Sequence, residues 1–204
     1  MSHGVERAPQ DIEAQPFCQI QAVCRKSRQT VRMQPGALFL NGTVGAGKTT
    51  TAEAIGDALQ EHEVPYAIID LDWFRNAWPA PADDPFNLAL ELRNLAAVAA
   101  NFRHAEATVL VLAGVIEEPA ERASYERALG LPLTVCRLKV SAPRLHSRII
   151  ARHQPGAERD WHLARIDELD AILDRAQVDD VTVHVDDDQP TAVAEKVLHA
   201  VGWL

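Results

Sequence analysis

The sequence predicts an α/β fold, in which a doubly wound parallel sheet of five strands carries helices on both faces. Three observations lead to this prediction. Short apolar runs alternate with longer segments of helical spacing five times along the 204 residues. Residues 108–114 form a run without polar alternation, which is typical of a strand buried on both faces. A glycine-rich loop also joins the first apolar run directly to a helical segment.

Each element is predicted from its local pattern of apolar residues. In a helix, apolar side chains recur three and four positions apart, whereas a buried strand is a short apolar run between turn residues. The predicted strands are residues 37–40, 66–70, 108–114, 133–140 and 181–185. The predicted helices are residues 51–62, 87–104, 118–129, 142–153, 161–176 and 190–202, the first of them beginning near Lys48.

The domain organisation follows from composition. Residues 1–35 are polar, contain three prolines and a basic cluster, and show no persistent helical pattern. We therefore predict a weakly structured N-terminal extension, followed by one domain at 36–204. That length is sufficient to bury a sizeable core.

Charge and cysteine content exclude several classes of protein. The net charge of −9 disfavours a nucleic-acid-binding protein, which would carry a basic face. An odd number of cysteines, three, without metal-ligand spacing suits a reducing compartment, and Cys136 is predicted to be a small core residue. The sequence shows neither a signal peptide nor an apolar run long enough to span a membrane. We expect a cytoplasmic protein without a membrane or nucleic-acid partner. Its oligomeric state is left open.

The glycine-rich loop has the pattern G-x-x-x-x-G-K-T of a phosphate-binding loop, or Walker A motif. Glycines let backbone N–H groups turn toward one anion, and the following helix directs its positive dipole end at the same point. Lys48 is expected to reach the β- and γ-phosphates of ATP, and the Thr49 hydroxyl to bind Mg²⁺. The predicted nucleotide-binding residues are Gly42, Thr43, Val44, Gly45, Ala46, Gly47, Lys48, Thr49 and Thr50.

Two carboxylates lie at the end of the second predicted strand. Asp70 and Asp72 are two residues apart, so strand geometry would place them on the same side. A carboxylate at this edge would accept a proton from an acceptor hydroxyl or help to hold Mg²⁺. Asp70 is predicted to contribute to the metal site and Asp72 to contact the acceptor, but the pattern leaves open which of them is the base. Helix capping is the alternative interpretation.

The helix predicted at 142–153 is rich in arginine. Arg144, Arg148 and Arg152 repeat every four residues and therefore share one helical face. Arg148 and Arg152 are the preferred candidates for stabilising the charge on a transferred phosphoryl group. The alternative is a solvated helix whose arginines pair with nearby acidic residues.

Further candidates are weaker. Arg75, Arg93 and Asn94 lie where an acceptor would be contacted, and each of them alone fits an ordinary surface position. The histidines show no metal-ligand spacing: His146 and His153 are seven residues apart and His162 is isolated.

The order of these motifs resembles the P-loop small-molecule kinases, which are built like nucleoside monophosphate kinases. That group includes adenylylsulfate, shikimate and gluconate kinases and chloramphenicol phosphotransferase. The resemblance covers residues 36–204 as an order of elements, but only Gly42–Thr49 matches with high specificity. It implies the strand order 2-3-1-4-5, a helical lid near 153–162, ATP as phosphoryl donor, and an Asp after the second strand that contacts the acceptor.

The sequence also departs from related nucleotide-binding families. The third strand ends in Leu112-Ala113-Gly114 without a Walker B aspartate, and no Asn-Lys-x-Asp signature for guanine is present. The expected activity is therefore transfer of the γ-phosphoryl group of ATP to a hydroxyl of a small molecule whose identity is open. The alternatives are a toxin-type or antibiotic-modifying kinase of the same fold, and a nucleotide-binding regulatory module with little catalysis.

Overall fold

The computed structural model describes residues 33–185 and 188–204, and its elements alternate as the sequence predicts. The strands are β1 (Gly36–Asn41), β2 (Tyr66–Asp70), β3 (Val109–Ala113), β4 (Leu133–Lys139) and β5 (Val181–His184). The helices are α1 (Lys48–Glu61), α2 (Leu88–His104), α3 (Pro119–Leu129), α4 (Ala142–Arg152), α5 (Ala157–Ala176) and α6 (Pro190–Ala200). A short 3-10 turn, Leu71–Trp73, follows β2.

The five strands form one parallel sheet in the order β2-β3-β1-β4-β5, which confirms the predicted fold class. The register aligns Leu40 of β1 with Ala113 of β3, and Ala113 with Asp70 of β2. The phosphate-binding loop and the Asp-x-Asp segment therefore leave the sheet side by side at its carboxyl edge. Ligands of open parallel sheets bind at this edge.

An apolar core lies on each face of the sheet. On one face α1 and α6 pack together and cover β1, β3 and β5, with Leu38, Ile55 and Val197 fully buried. On the other face Phe39 and Leu112 pack with α2 and α3. All five residues of β3 are buried, as the unalternated run predicts. Cys136 is also buried in the core, as predicted.

Element boundaries differ from the predictions mainly around α5. The helix begins at Ala157 rather than 161, so only residues 153–156 separate it from α4. The segment predicted as a lid is therefore a short joint followed by the first turns of a long helix. The basic cluster and most of the predicted extension at 1–35 lie outside the described residues. Within the part of the chain that the structure describes, no helix is both long and apolar enough to cross a bilayer.

Candidate active site

The phosphate-binding loop adopts the backbone that its glycines permit. Gly42 and Gly47 have φ values of 144° and 92°, a region that L side chains rarely adopt. A Cβ on Gly42 would also lie 2.8 Å from the carbonyl oxygen of Leu138, so this position excludes any side chain. The helix that follows begins at Lys48, and no side chain caps its N-terminal amides. Those amides and the helix dipole face the loop, which is the arrangement that binds a phosphate.

The side chain of Lys48 is enclosed by this loop. Its Nζ donates to the carbonyl oxygens of Gly42 and Thr43, at 3.0 and 3.1 Å. Burial lowers the pKa of Lys48 to about 8, although the carboxylates of Asp72 and Asp70 act in the opposite direction. Burial removes water from around the ammonium group. A phosphate anion bound beside it would replace the favourable interactions with water that are lost.

Thr49 and Asp70 meet at the carboxyl edge. The Thr49 hydroxyl donates to Asp70 Oδ2 at 2.9 Å, across a sequence separation of 21 residues. Asp70 Oδ1 accepts the backbone N–H of Asp72 at 3.1 Å and caps the 3-10 turn. Asp70 also stands beside Ala113 in the sheet register, one strand away from the place where a Walker B aspartate would follow β3.

The geometry changes the sequence-based reason for pairing Asp70 with Asp72. Strand period two was expected to put both carboxylates on one side, but β2 ends at Asp70 and the chain turns at Leu71–Trp73. The two side chains therefore have different surroundings. Asp70 is partly buried and bonded to Thr49, whereas Asp72 is exposed and raises the pKa of Lys48 more than Asp70 does.

Arg148 and Arg152 line a cavity of about 540 Å³ beside the loop. Arg148 Nη1 donates to the carbonyl oxygen of Gly45 at 3.0 Å, and burial lowers the pKa of Arg148. Three parts of the chain form the rest of the wall: the loop with α1, other residues of α4, and the segment after β5 with α6. In chain order these residues are Gly45, Ala46, Gly47, Thr50, Thr51, Ile149, Ala151, Val185, Asp188, Pro190 and Val193. The cavity is of a size and composition that suits a nucleoside.

Arg75, one of the predicted acceptor contacts, is partly buried and pairs with a fully buried carboxylate. Its Nη2 lies 2.5 Å from Glu91 Oε2, and the other carboxylate oxygen accepts a hydrogen bond from the Tyr125 hydroxyl. The Glu91 side chain is fully buried. Burial raises the pKa of Glu91, against the opposing effects of Tyr125 and Arg75, and also raises the pKa of Tyr125 well above its usual range. The positive charge of Arg75 also acts to lower the pKa of Lys48, so Arg75 influences the phosphate-binding loop electrostatically.

The other predicted acceptor contacts are arranged differently. Asn94 donates from Nδ2 to the carbonyl oxygen of Phe74 at 2.8 Å and so supports the segment after the 3-10 turn. Asn87 supports the same segment through hydrogen bonds to the carbonyl oxygens of Arg75 and Ala77. Arg93 is exposed on α2.

Asn41 is a site residue to which sequence reasoning assigned no role. Its fully buried side chain accepts the backbone N–H groups of Gly42 and Ile116, at 3.0 and 3.1 Å. Its amide donates to the carbonyl oxygen of Ile116 and to Asp179. Asn41 thus ties the start of the phosphate-binding loop to the segment after β3. A polar residue at the end of an apolar strand is the signal that points to such a role.

Two of the histidines that are far from ligand spacing in the sequence come together in the structure. His153 and His162 face each other across the joint between α4 and α5, with Glu158 beside both. The spacing along the chain hides this proximity because the joint folds the two helices together.

Comparisons with known proteins agree with this geometry. Residues 21–85, about a third of the chain, match the family model described as Zeta toxin. The structure is similar to APS kinase CysC from Mycobacterium tuberculosis in complex with AMPPNP and APS. That likeness has a TM-score of 0.57 and 19% identity, and covers 83% of this chain and 98% of that one. No curated protein matches the sequence.

Two further solved structures have the same architecture. Shikimate kinase from Bacteroides thetaiotaomicron has a TM-score of 0.57 and 22% identity over 82% of this chain and 98% of its own. The Deinococcus radiodurans tunicamycin resistance protein has a TM-score of 0.55 and 21% identity over 84% and 98%.

The fold is that of the P-loop small-molecule kinases. The strand order, the phosphate-binding loop after β1 and the carboxylates at the end of β2 are consistent with that assignment. At this level of identity the likeness concerns the fold, so the chemistry of the chain has to be argued from its own site.

Proposed function

We propose that the protein is an ATP- and Mg²⁺-dependent phosphotransferase that transfers the γ-phosphoryl group to a hydroxyl of a small molecule. The observation that carries the proposal is the meeting of three groups at the sheet edge: Lys48 in the loop, Thr49 bonded to Asp70, and Asp72 beside them. A protein that only bound a nucleotide would need the loop but not the two carboxylates.

The residues present fit a magnesium ion. The Thr49 hydroxyl and the Asp70 carboxylate are hard oxygen donors 2.9 Å apart. Neighbouring ligands of an octahedral Mg²⁺ with bonds of 2.0–2.1 Å would be about 2.9 Å apart. A Mg²⁺ ion held by Thr49 and Asp70 would neutralise the negative charge that develops during phosphoryl transfer. We therefore infer that Asp70 takes the role of the missing Walker B aspartate, directly or through water.

The remaining residues have distinct roles in this proposal. Lys48 and the loop amides hold the β- and γ-phosphates. Asp72 accepts the proton of the acceptor hydroxyl, since its carboxylate is exposed beside Lys48. Arg75, held by buried Glu91, supports the acceptor side of the same space. Arg148 and Arg152 hold the nucleotide and bring positive charge toward the transferred group.

A second candidate function specifies the chemical class of the acceptor. The Zeta toxin match over 21–85 and the likeness to a tunicamycin resistance protein favour a toxin-type or antibiotic-modifying kinase, with a nucleotide sugar or a drug as acceptor. Trp73, Trp78 and Phe86 are exposed on the segment between β2 and α2, where rings of an acceptor would stack. We propose a cytoplasmic location because ATP is the donor. The alternative of a regulatory module predicts tight nucleotide binding without turnover.

The test is ADP formation from Mg·ATP across a panel of hydroxylated acceptors. The panel contains sugar acids, nucleotides, nucleotide sugars, adenylylsulfate, shikimate, and aminoglycoside and phenicol drugs. We expect one class of acceptor to stimulate ADP formation, and the stimulation to disappear in Lys48→Ala but not in Lys139→Ala, which removes a lysine of β4 paired with Asp174. Tight binding of ATP without stimulation by any acceptor would favour the regulatory module.

A further inference from the structure

A cluster of metal-ligating side chains lies at the joint between α4 and α5. His153 Nδ1 is 3.3 Å from Glu158 Oε1, and His162 Nε2 is 3.9 Å from the same oxygen. One ligand atom of each of the three residues lies within 4.8 Å of the other two. In a tetrahedral zinc site with bonds near 2.0–2.1 Å, ligand atoms are about 3.4 Å apart. Small side-chain rotations would therefore bring all three onto one ion.

The backbone builds this cluster from two helices. Glu158 and His162 are four residues apart on α5, so they share one face. His153 is the first residue after α4, and its backbone angles are extended. Residues 153–156 reverse the direction of the chain between the two helices. Gly156, the last of them, has a φ of 154°, which suits glycine. The joint is short enough to hold His153 over the first turns of α5.

The surroundings resemble those of a ligand site more than those of a solvated surface. The His153 and His162 side chains are only 18% and 21% exposed, whereas Glu158 is 77% exposed and leaves a path from solvent. The two imidazole rings lie 4.5 Å apart between centroids.

We propose that His153, Glu158 and His162 bind a transition-metal dication of the Zn²⁺ class, with the fourth position left to water. Two imidazoles and one carboxylate are ligands that Zn²⁺ accepts, whereas Mg²⁺ prefers oxygen alone. The site is thus chemically distinct from the Thr49–Asp70 pair, and it does not depend on the proposed kinase activity.

The position of the site gives the ion a structural effect. Linking His153 to α5 fixes the end of α4, and Arg152, the residue before it, lines the cavity beside the phosphate-binding loop. The ion would therefore stabilise the joint next to the nucleotide. Trp161, whose ring centroid lies 5.0 Å from that of His162, provides a local optical signal.

The test is metal binding by the full chain after removal of any affinity tag and dialysis against chelator. Zn²⁺ is titrated calorimetrically in the presence of excess Mg²⁺, and Co²⁺ is followed by its visible absorption and by quenching of Trp161 fluorescence. We expect one Zn²⁺ per chain, a rise in Tm on addition of Zn²⁺, and Co²⁺ absorption of a site with nitrogen ligands. In His153→Ala and His162→Ala we expect affinity at least about tenfold weaker.

A matched control is present on the same helices. His146 of α4 lies 3.6 Å from Asp167 of α5, a histidine–carboxylate pair outside the three-residue cluster. His146→Ala should bind Zn²⁺ with the affinity of the wild type. Trp161→Phe should keep that affinity but lose the quenching of tryptophan fluorescence by Co²⁺. Unfolding of each variant in chelator checks that it is folded. Equal Zn²⁺ affinity in His162→Ala and wild type, or no saturable binding by wild type, would overturn the proposal.

Discussion

The carboxyl edge of the sheet has two halves that are built in different ways. The half proposed to bind the nucleotide, the nucleotide half, is the phosphate-binding loop with α1 and α4. Its contacts come mostly from backbone atoms, such as the carbonyl oxygens of Gly42 and Thr43 that accept hydrogen bonds from Lys48. The half proposed to bind the acceptor, the acceptor half, is the segment from Asp70 to α2. Side-chain contacts organise it, because partly buried Arg75 meets Glu91 of α2, which in turn accepts a hydrogen bond from Tyr125 of α3. A site made from backbone needs a local motif, whereas a site made from side chains needs the fold.

The largest effect is expected in the nucleotide half. Lys48→Ala should lower turnover more than about a thousandfold, because it removes the cation from the β- and γ-phosphates. We expect Tm to change little, because burial lowers the pKa of Lys48 and so opposes the stabilisation that comes from its two hydrogen bonds to the loop. Steady-state kinetics and thermal unfolding check the two parts. Normal turnover in this variant, with Lys139→Ala as control, would refute the assignment of the loop.

Substitutions of the two carboxylates at the boundary between the halves should have different kinetic effects. Asp72→Asn should lower kcat about a hundredfold while ATP affinity is retained, because a base is lost but the phosphate site remains. Asp70→Asn should instead raise the Mg²⁺ concentration needed for half-maximal rate, because it removes an oxygen donor beside Thr49. Magnesium titrations of both variants distinguish these outcomes. A reversal of the two phenotypes would exchange the roles of Asp70 and Asp72.

In the acceptor half, Tyr125→Phe tests the buried network. The variant leaves one oxygen of the fully buried Glu91 without its hydrogen bond, and should lower the free energy of unfolding by about 1–3 kcal/mol. Because Glu91 holds Arg75, we also expect a higher KM for the acceptor and an unchanged affinity for ATP. Tyr66→Phe, on a strand residue that packs against the opposite core, is the control. An unchanged acceptor KM would show that the network contributes to stability but not to acceptor binding.

The smallest effect is the pH dependence of nucleotide binding. Burial holds the pKa of Lys48 near 8, and a bound phosphate would raise it toward the ordinary value of 10.5. Between these pH values binding should take up a proton, so ATP affinity should fall as pH rises above about 8. Calorimetry in buffers of different ionisation enthalpy measures the uptake. The same pH dependence in Lys48→Ala would assign it to another group.

The elements of the fold were predictable because each is specified locally. The alternation of apolar runs gave all five strands within one or two residues, and the resemblance gave the order β2-β3-β1-β4-β5, which the structure confirms. The break at Pro155-Gly156 was visible, but the start of α5 was missed. The first turns of that helix carry Glu158 and Asp160 rather than an apolar stripe, so no periodic signal marks them.

Within the candidate site, the sequence by itself determined the phosphate-binding loop. Its glycine spacing dictates a backbone shape, and that shape requires no distant partner. The sequence also indicated Asp70 and Asp72 as a pair, because they end a strand next to the loop. It could not predict that the two carboxylates have different surroundings. That difference depends on where the chain leaves β2 and on the hydrogen bond from Thr49, 21 residues away.

Only the tertiary structure decided the contacts made between distant elements. Asn41 holds the loop to Ile116 across 75 residues, Glu91 and Tyr125 meet across 34, and His153 and His162 face each other because a short joint folds α4 onto α5. Buried polar groups must find partners, but the sequence does not say which ones. Packing of the helices on the sheet makes that choice, and it fixes the acceptor half and the proposed metal site.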